Sequence, residues 1–347
     1  MTIVVVGAGA IGLLVAGRLA QSGQRTALLA RPRTAQAIDR DRLSILQDGA
    51  RQVVEGLATL TDAGALEPHD QPPDLAILCV KSYDTADALA ALDALRPRSI
   101  LTLQNGIGNE EILAGRFGAG RVVSGAITAS VEIEAPGSIS VAKRGGIGVA
   151  PMSAESHAAA GQAAAALRGA GFEVREFADY RALKWSKALL NILGNATAAI
   201  LDMPVAQIYA DRRLVALERR AFLEALAVMD RIGIAPVNLP RNPAALLALA
   251  MRWAPAALLD PLLRRLVAGG RGGKPPSLQL ELARGNPRSE GAFLYGAIAR
   301  AAEQAGVAAP VNQALWDTLL AIAGGSTAWD SYRRRPERLI ELVGPIR

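Results

Sequence analysis

Three polar side chains recur along one apolar stretch: Lys187, Asn191 and Asn195, spaced i, i+4, i+8 within residues 180–201. At 3.6 residues per helical turn they fall within roughly 80° of arc, so they stripe one face of a helix otherwise rich in Ala, Leu and Ile. Polar groups that face an interior need partners. A lysine placed there is costly enough to suggest a task, and an ammonium can stabilise an oxygen that gains charge and then protonate it. The bland alternative is a solvated stripe, but short Asn side chains are poor surface helix formers. Lys184 projects close to the same arc one turn earlier, and periodicity alone does not choose between the two lysines.

A proton donor needs a reaction partner, and the start of the chain supplies one. Residues 2–6 (TIVVV) form a β-branched run with nothing polar after Thr2, as expected of a buried parallel strand. Gly7-Ala8-Gly9-Ala10-Ile11-Gly12 follows at once, and residues 13–21 are helical in character. Strand, glycine turn and helix together are the context for a dinucleotide pyrophosphate. Gly7 permits the tight turn, Gly9 lets the backbone approach the phosphates, and Gly12 lets helix and strand pack closely. The helix N-terminus offers N–H groups and a positive dipole end. The second strand, residues 25–30, ends at Arg31-Pro32-Arg33 where an NAD enzyme usually carries Asp or Glu for the ribose 2′-hydroxyl. A cation there suits a 2′-phosphate, so NADPH is expected over NADH. The alternative is that Arg31 and Arg33 are ordinary loop charges.

The elements that must position these groups fall into two blocks. At 347 residues the chain is long enough for about two domains. To about residue 130 strands and helices alternate, a doubly wound α/β pattern whose functional residues lie at the carboxyl ends of strands. Two loops stand out there: Lys81-Ser82-Tyr83-Asp84 after the strand 74–80, and Gln104-Asn105-Gly106-Ile107-Gly108 after the strand 99–103. Residues 131–149 are hairpin material around Pro136-Gly137, expected to extend the sheet with antiparallel strands. Everything beyond is helical by period: 180–201, 206–233, two helices within 240–268 split near Pro255, then 277–284, 290–305 and 312–323, with a loop at 269–276. The expected fold is an N-terminal Rossmann-like doubly wound α/β sheet over 1–178, binding NADP, and an all-α C-terminal substrate and catalytic domain over 179–347.

Composition narrows the class. Hydrophobic residues make up 51%, enough for two cores, but aromatics are only 4%, so Ala, Leu, Val and Ile must build them. The net charge of +6 is scattered apart from Arg333-Arg334-Arg335, without the aromatic interleaving of a nucleic-acid binder. One cysteine, Cys79, excludes an internal disulfide and a thiolate metal cluster, and is expected to be a small core hydrophobe. Only His69 and His157 exist, both in polar, loop-like stretches, which argues against zinc or a His-dependent triad. The apolar stretch 244–266 is broken by Arg252, Pro255, Asp260 and Pro261, so no membrane span is expected. With no leader at the N-terminus, the expected location is the cytoplasm. A homodimer is allowed by the sequence but not required.

Seven motifs, in order over nearly the whole length, give a family resemblance. They are GAGAIG at 7–12, VKSYDT at 80–85, QNGIGNEE at 104–111, WSKALLNILGNATA at 185–198, PSLQLE at 276–281, SEGAFLYGAI at 289–298 and GVAAPVN at 306–312. The chain resembles the ketopantoate reductases (2-dehydropantoate 2-reductases). The resemblance implies a Rossmann domain, a helical C-terminal domain, an active site in the cleft between them, and NADPH-dependent reduction of a 2-keto acid. It also implies that Lys187, two residues after the Trp, is the general acid, that Asn191 and Asn195 match the family's asparagines, and that Asn105 and Lys81 match its loop residues. Ser277 would hold the substrate carboxylate, and Glu290 would contact the substrate hydroxyl. Taken alone, Ser277 could be a helix N-cap and Glu290 a favourable charge at a helix start. Four departures lie on the substrate side: Glu281 where the family often has Asp, Tyr295 where it often has Asn, one extra residue between Ser277 and Glu290, and a longer segment 241–274. Two rival readings remain, an NADP-dependent reductase of another 2-keto acid or an imine, and a non-catalytic dinucleotide sensor. A sensor has no need of a proton donor, and an intact Lys187 with its asparagines speaks against it.

Overall fold

The computed structural model describes residues 1–65, 72–268 and 275–344, so His69 and most of the expected 269–276 loop lie outside it. The described chain forms two compact units. One comprises residues 1–104, 108–184 and 239–242; the other comprises 105–107, 185–238 and 243 onward.

The first unit is the α/β one. Its strands are β1 (Thr2–Val6), β2 (Arg25–Leu29), β3 (Leu43–Gln47), β4 (Ala50–Val54), β5 (Ala58–Leu60), β6 (Leu75–Leu78), β7 (Ser99–Thr102), β8 (Val122–Ile127), β9 (Ser130–Ala135), β10 (Ser138–Lys143), β11 (Gly146–Pro151) and β12 (Glu173–Glu176). Its helices are α1 (Ala10–Gln21), α2 (Pro32–Asp41), α3 (Thr85–Leu95), α4 (Asn109–Phe117) and α5 (His157–Gly169). Eight strands form the main sheet in the order β12-β11-β8-β7-β6-β1-β2-β5. The run from β5 to β8 is parallel, and β11 turns antiparallel against β8. Both faces of β1 are buried. Ile3 and Val5 pack with side chains of α1 and α5, while Val4 and Val6 pack with those of α3 and α4. That explains why its sequence is a continuous β-branched run with no polar alternation.

The register positions the candidate residues. Val6 lies level with Leu29 on one side and Leu78 on the other, and Leu78 lies level with Thr102. Four neighbouring parallel strands therefore end in one row. The segments that leave them carry, in spatial order, Gln104, Lys81, the glycine turn and Arg31.

The hairpin expected to extend this sheet does not do so. β9 and β10 join β3 and β4 in a separate four-stranded sheet, ordered β4-β3-β10-β9, with β10 parallel to β3; only β11 enters the main sheet. The small sheet buries Leu43, Ile45, Val54, Val131 and Ile139. It packs on α1 at Gly17, where an added Cβ would stand 2.9 Å from both Ile45 and Leu43 side chains. Alternating apolar residues reveal that a strand has one buried face but not which sheet receives it.

The second unit is helical: α6 (Tyr180–Ile192, entering from the first unit at Lys184–Trp185), α7 (Ala196–Leu201), α8 (Val205–Ile208), α9 (Arg212–Arg231), α10 (Ala244–Trp253), α11 (Ala256–Leu263), α12 (Ser277–Ala283), α13 (Tyr295–Ala305), α14 (Pro310–Ala323) and α15 (Pro336–Val343). All six residues of α7 are buried, as expected of a helix apolar all round. Two expected helices are each divided. Residues 206–233 give α8 and α9, because Asp211 caps the second by accepting the Arg213 N–H. Residues 180–201 give α6 and α7, because Gly194 adopts φ +61° and interrupts the run. Asn195 therefore leaves the helix that carries Lys187 and Asn191.

Candidate active site

The glycine turn separates what the fold requires from what a ligand requires. Gly7 has φ +106°, and a Cβ there would stand 2.7 Å from Val80 Cγ1; at Gly12 it would lie 1.8 Å from the Gly7 carbonyl oxygen. The chain itself excludes side chains at both positions. Gly9 is different. Its backbone is extended (φ −73°, ψ 178°), and an added Cβ would meet only the Cys79 carbonyl oxygen at 3.9 Å. Nothing in the protein demands glycine at Gly9, whereas close approach of a pyrophosphate would. The turn opens α1, whose first turn carries no acidic residue, and Ala8, Ala10 and Ile11 add no polar side chain. The donor set therefore fits a dinucleotide phosphate at a helix N-terminus. Cys79, beneath the turn, has its thiol pushed up to about 12 by desolvation, so it is neither a thiolate nor a nucleophile.

Arg31 is the N-cap residue of α2 at the carboxyl end of β2, and with Arg33 it is exposed. Among the described residues neither forms an ion pair. Lys81 follows β6 and precedes a 3-10 turn, Ser82–Asp84; its carbonyl oxygen accepts the Asp84 N–H at 2.8 Å.

In the second unit the substrate-side candidates come together through the broken helix. Asn191 donates its Nδ2 to Asn105 Oδ1 at 3.3 Å, so the loop asparagine and the helix asparagine form one group. The loop is clamped by the turn that bears Glu290. The Ile107 N–H donates to the Phe293 carbonyl at 2.8 Å, and a Cβ on Gly106 (φ +89°) would stand 2.5 Å from Phe293 Cβ. Lys187 lies one turn before Asn191 and is half-buried. Asn195 is 4% exposed, and its amide is occupied at both ends. Nδ2 donates to the Asn191 carbonyl at 3.1 Å, and Oδ1 accepts the Leu278 N–H of α12 at 3.3 Å. Ser277 is therefore not the cap of its helix. The N-cap position is Pro276, Asn195 takes the first-turn N–H, and among the described residues the Ser277 hydroxyl has no partner.

Three residues outside the sequence-derived set hold this arrangement. The break Leu193–Asn195 leaves backbone groups that a continuous helix would have paired. Tyr295, fully buried, donates its hydroxyl to the Ile192 carbonyl at 2.5 Å and accepts the Ala196 N–H at 3.0 Å. Glu218, 2% exposed, accepts the Gly194 N–H at 2.5 Å and the Thr197 hydroxyl at 2.5 Å, with the Tyr209 hydroxyl at 3.3 Å. Glu281 holds the Glu290 turn. One of its oxygens accepts the Glu290 N–H at 3.1 Å and the Ser289 hydroxyl at 3.2 Å. Glu290 itself is 3% exposed and opens a 3-10 turn, with α13 starting only at Tyr295. Glu281 and Tyr295 are two of the departures seen in the sequence, and both are braces. Glu218 left no signal, because a Glu in an amphipathic helix is ordinary.

The two lysines that periodicity could not separate have different surroundings. Lys184 is 3% exposed, and its ammonium donates to the Gln104 carbonyl (2.6 Å) and the Gly125 carbonyl (3.5 Å) while pairing with Glu110 (3.2 Å). An ammonium has three donors, and all three are engaged. A separate cavity of about 510 Å³ in the first unit contains none of the candidate residues; two of its three arginines, Arg144 and Arg241, pair with Asp48 and Glu173.

Comparison with known proteins bears on the family. Residues 3–154 match the model of ketopantoate reductase PanE/ApbA, and residues 179–323 match that of its C-terminal domain. A 2-dehydropantoate 2-reductase of Pyrococcus horikoshii is 31% identical, covering 94% of this chain and 100% of its own. One from Halobacterium salinarum is 28% identical, covering 91% and 97%. The crystal structure of a PanE/ApbA family ketopantoate reductase from Ralstonia eutropha JMP134 superposes with a TM-score of 0.78 at 28% identity, covering 94% of this chain and 99% of that one. A D-mandelate dehydrogenase shares the fold with a TM-score of 0.77 at 22% identity, covering 94% and 99%. The chain belongs to the ketopantoate reductase family.

Proposed function

We propose that the protein reduces 2-dehydropantoate (ketopantoate) to pantoate with NADPH, using Lys187 as general acid. The observation that carries this reading is the hydrogen bond from Asn191 to the loop residue Asn105, one helical turn from Lys187 on α6, with Lys184 fully committed elsewhere. The protein is an NADPH-dependent oxidoreductase of its family. Bound NADPH supplies the hydride that reduces the keto carbon. The chain's own residues do the rest. The glycine turn holds the pyrophosphate, Arg31 faces the 2′-phosphate, and Lys81 and Asn105 contact the cofactor. As charge builds on the ketone oxygen, the Lys187 ammonium stabilises it and gives up a proton, becoming a neutral amine that solvent reprotonates. Asn191 orients the lysine or the substrate. The Ser277 hydroxyl binds the keto-acid carboxylate, and Asn195 acts on it by fixing the start of α12. Glu290 fixes the substrate hydroxyl or balances the charge of Lys187. On this reading residues 1–178 serve the cofactor and 179–347 the substrate.

The same reading places the protein in the cytoplasm as a homodimer. No helix among the described residues is long and apolar enough to cross a membrane. Leu246, Leu249, Trp253, Leu258 and Leu262 of α10 and α11 are all at least 42% exposed, an apolar patch that a second copy would cover. Light scattering at micromolar concentration decides the assembly, and a monomer there removes the dimer from the reading.

NADPH oxidation followed by absorbance tests the reaction, comparing ketopantoate with 2-keto acids that lack its hydroxyl. Ketopantoate should be turned over with the highest kcat/KM. Preference for another 2-keto acid would move the protein to the rival substrate, and no turnover with any would favour a sensor.

A further inference from the structure

A buried polar network lies beneath the two loops that leave β6 and β7. Gln104, 4% exposed, donates Nε2 to Thr85 Oγ1 at 2.8 Å and to the Lys81 carbonyl at 3.5 Å, while its Oε1 accepts the Thr102 hydroxyl at 3.1 Å. The Thr85 hydroxyl in turn donates to the Ser82 carbonyl at 2.7 Å. From the other side, Lys184 Nζ grips the Gln104 carbonyl at 2.6 Å. Its counter-ion Glu110, 1% exposed, also accepts the Ser124 hydroxyl at 2.8 Å. Among the backbone carbonyls the network holds are that of Lys81 and that of Gln104, the residue before Asn105. Those are the loops proposed to meet the cofactor.

Stability alone gives no reason to keep this pair. A buried lysine and glutamate cost heavily in desolvation, and apolar replacements of both are often neutral or better. A fully satisfied buried network does rigidify what it holds. We propose that Lys184 and Gln104 are positioning residues for hydride transfer: together they fix the Lys81 and Gln104 backbones, where β6 and β7 give way to their loops, and Lys184 donates no proton to substrate. The proposal rests on the reductase reading above.

The test pairs two variants. Lys184→Met/Glu110→Gln removes both buried charges and keeps an acceptor for Ser124. It should stay folded and bind NADPH normally by fluorescence, melting modestly lower because the buried Gln104 carbonyl loses its donor. Its kcat should nevertheless fall by about 10²-fold, the scale of a small misplacement of reacting groups. The deuterium isotope effect from NADPH labelled at the transferred hydrogen should rise, because the hydride step has become slower. A purely structural role would change melting and leave that isotope effect alone. Gln104→Met leaves the ion pair intact and should show the same pattern, while Lys184→Arg, which keeps charge and donors, should recover most of kcat. A folded variant of either kind with wild-type kcat and isotope effect overturns the proposal. Wild-type protein that fails to oxidise NADPH with any keto acid would instead count against the reductase reading.

Discussion

At the scale of single residues, the informative positions are those where the fold and the chemistry make different demands. Gly7 and Gly12 are glycines because the chain would collide with itself, but Gly9 has room for a Cβ. Gly9→Val should therefore fold, with a melting temperature near wild type, and fail to bind NADPH in a fluorescence titration. Normal affinity would mean the turn is not the phosphate cradle. Arg31 makes the complementary statement about cofactor choice. It is exposed at the end of β2, so Arg31→Asp reverses a charge without disturbing a packed partner. NADPH affinity should drop by about tenfold or more, the worth of a charge-assisted hydrogen bond to phosphate, while NADH affinity changes little. An equal loss for both would remove Arg31 from the 2′-phosphate site. The turn was legible in the sequence because its whole logic sits in six consecutive residues. The commitment of Lys184 was not, because the partners of its ammonium are remote in sequence: Gln104, eighty residues earlier, and the carboxylate of Glu110.

At the scale of elements, the decisive object is the helix broken at Gly194. A single glycine inside a long apolar run is tolerated in helices, so the sequence presents 180–201 as continuous. Whether it breaks depends on groups that can take up the freed backbone, and those are Tyr295 and Glu218, remote in sequence. The break turns Asn195 from a third member of a stripe into the clamp on α12. Tyr295→Phe deletes the hydroxyl and strands a buried carbonyl and N–H, which should cost about 1–3 kcal/mol of stability. It should also raise KM for the keto acid more than it lowers NADPH affinity, since the affected helices carry Asn195 and Ser277. Denaturant melts and a KM-against-kcat comparison check both, and unchanged values would show that the break holds itself. The same limit on sequence reading hid the second sheet. The residues of β9 and β10 alternate as strands should, but β3, the strand that β10 pairs with, lies about ninety residues away.

At the scale of the whole molecule, two units of different class follow from the shift in hydrophobic period near residue 180, from strand–helix alternation to helices throughout. Class and order were legible because they rest on patterns repeated over many residues. α6 passes from the first unit to the second at Lys184–Trp185, so Lys184 and Lys187 fall in different units although they are one turn apart. That division gives the central claim its most direct measurement: kcat/KM for ketopantoate across pH in wild type and Lys187→Ala, alongside NADPH binding. In wild type, activity should fall on the alkaline side as the ammonium is lost. Lys187→Ala should bind NADPH as before, lose about 10²–10⁴-fold in kcat, and no longer show that alkaline loss. A Lys187→Ala protein with wild-type kcat and the wild-type pH profile would contradict the assignment of Lys187 as the proton donor.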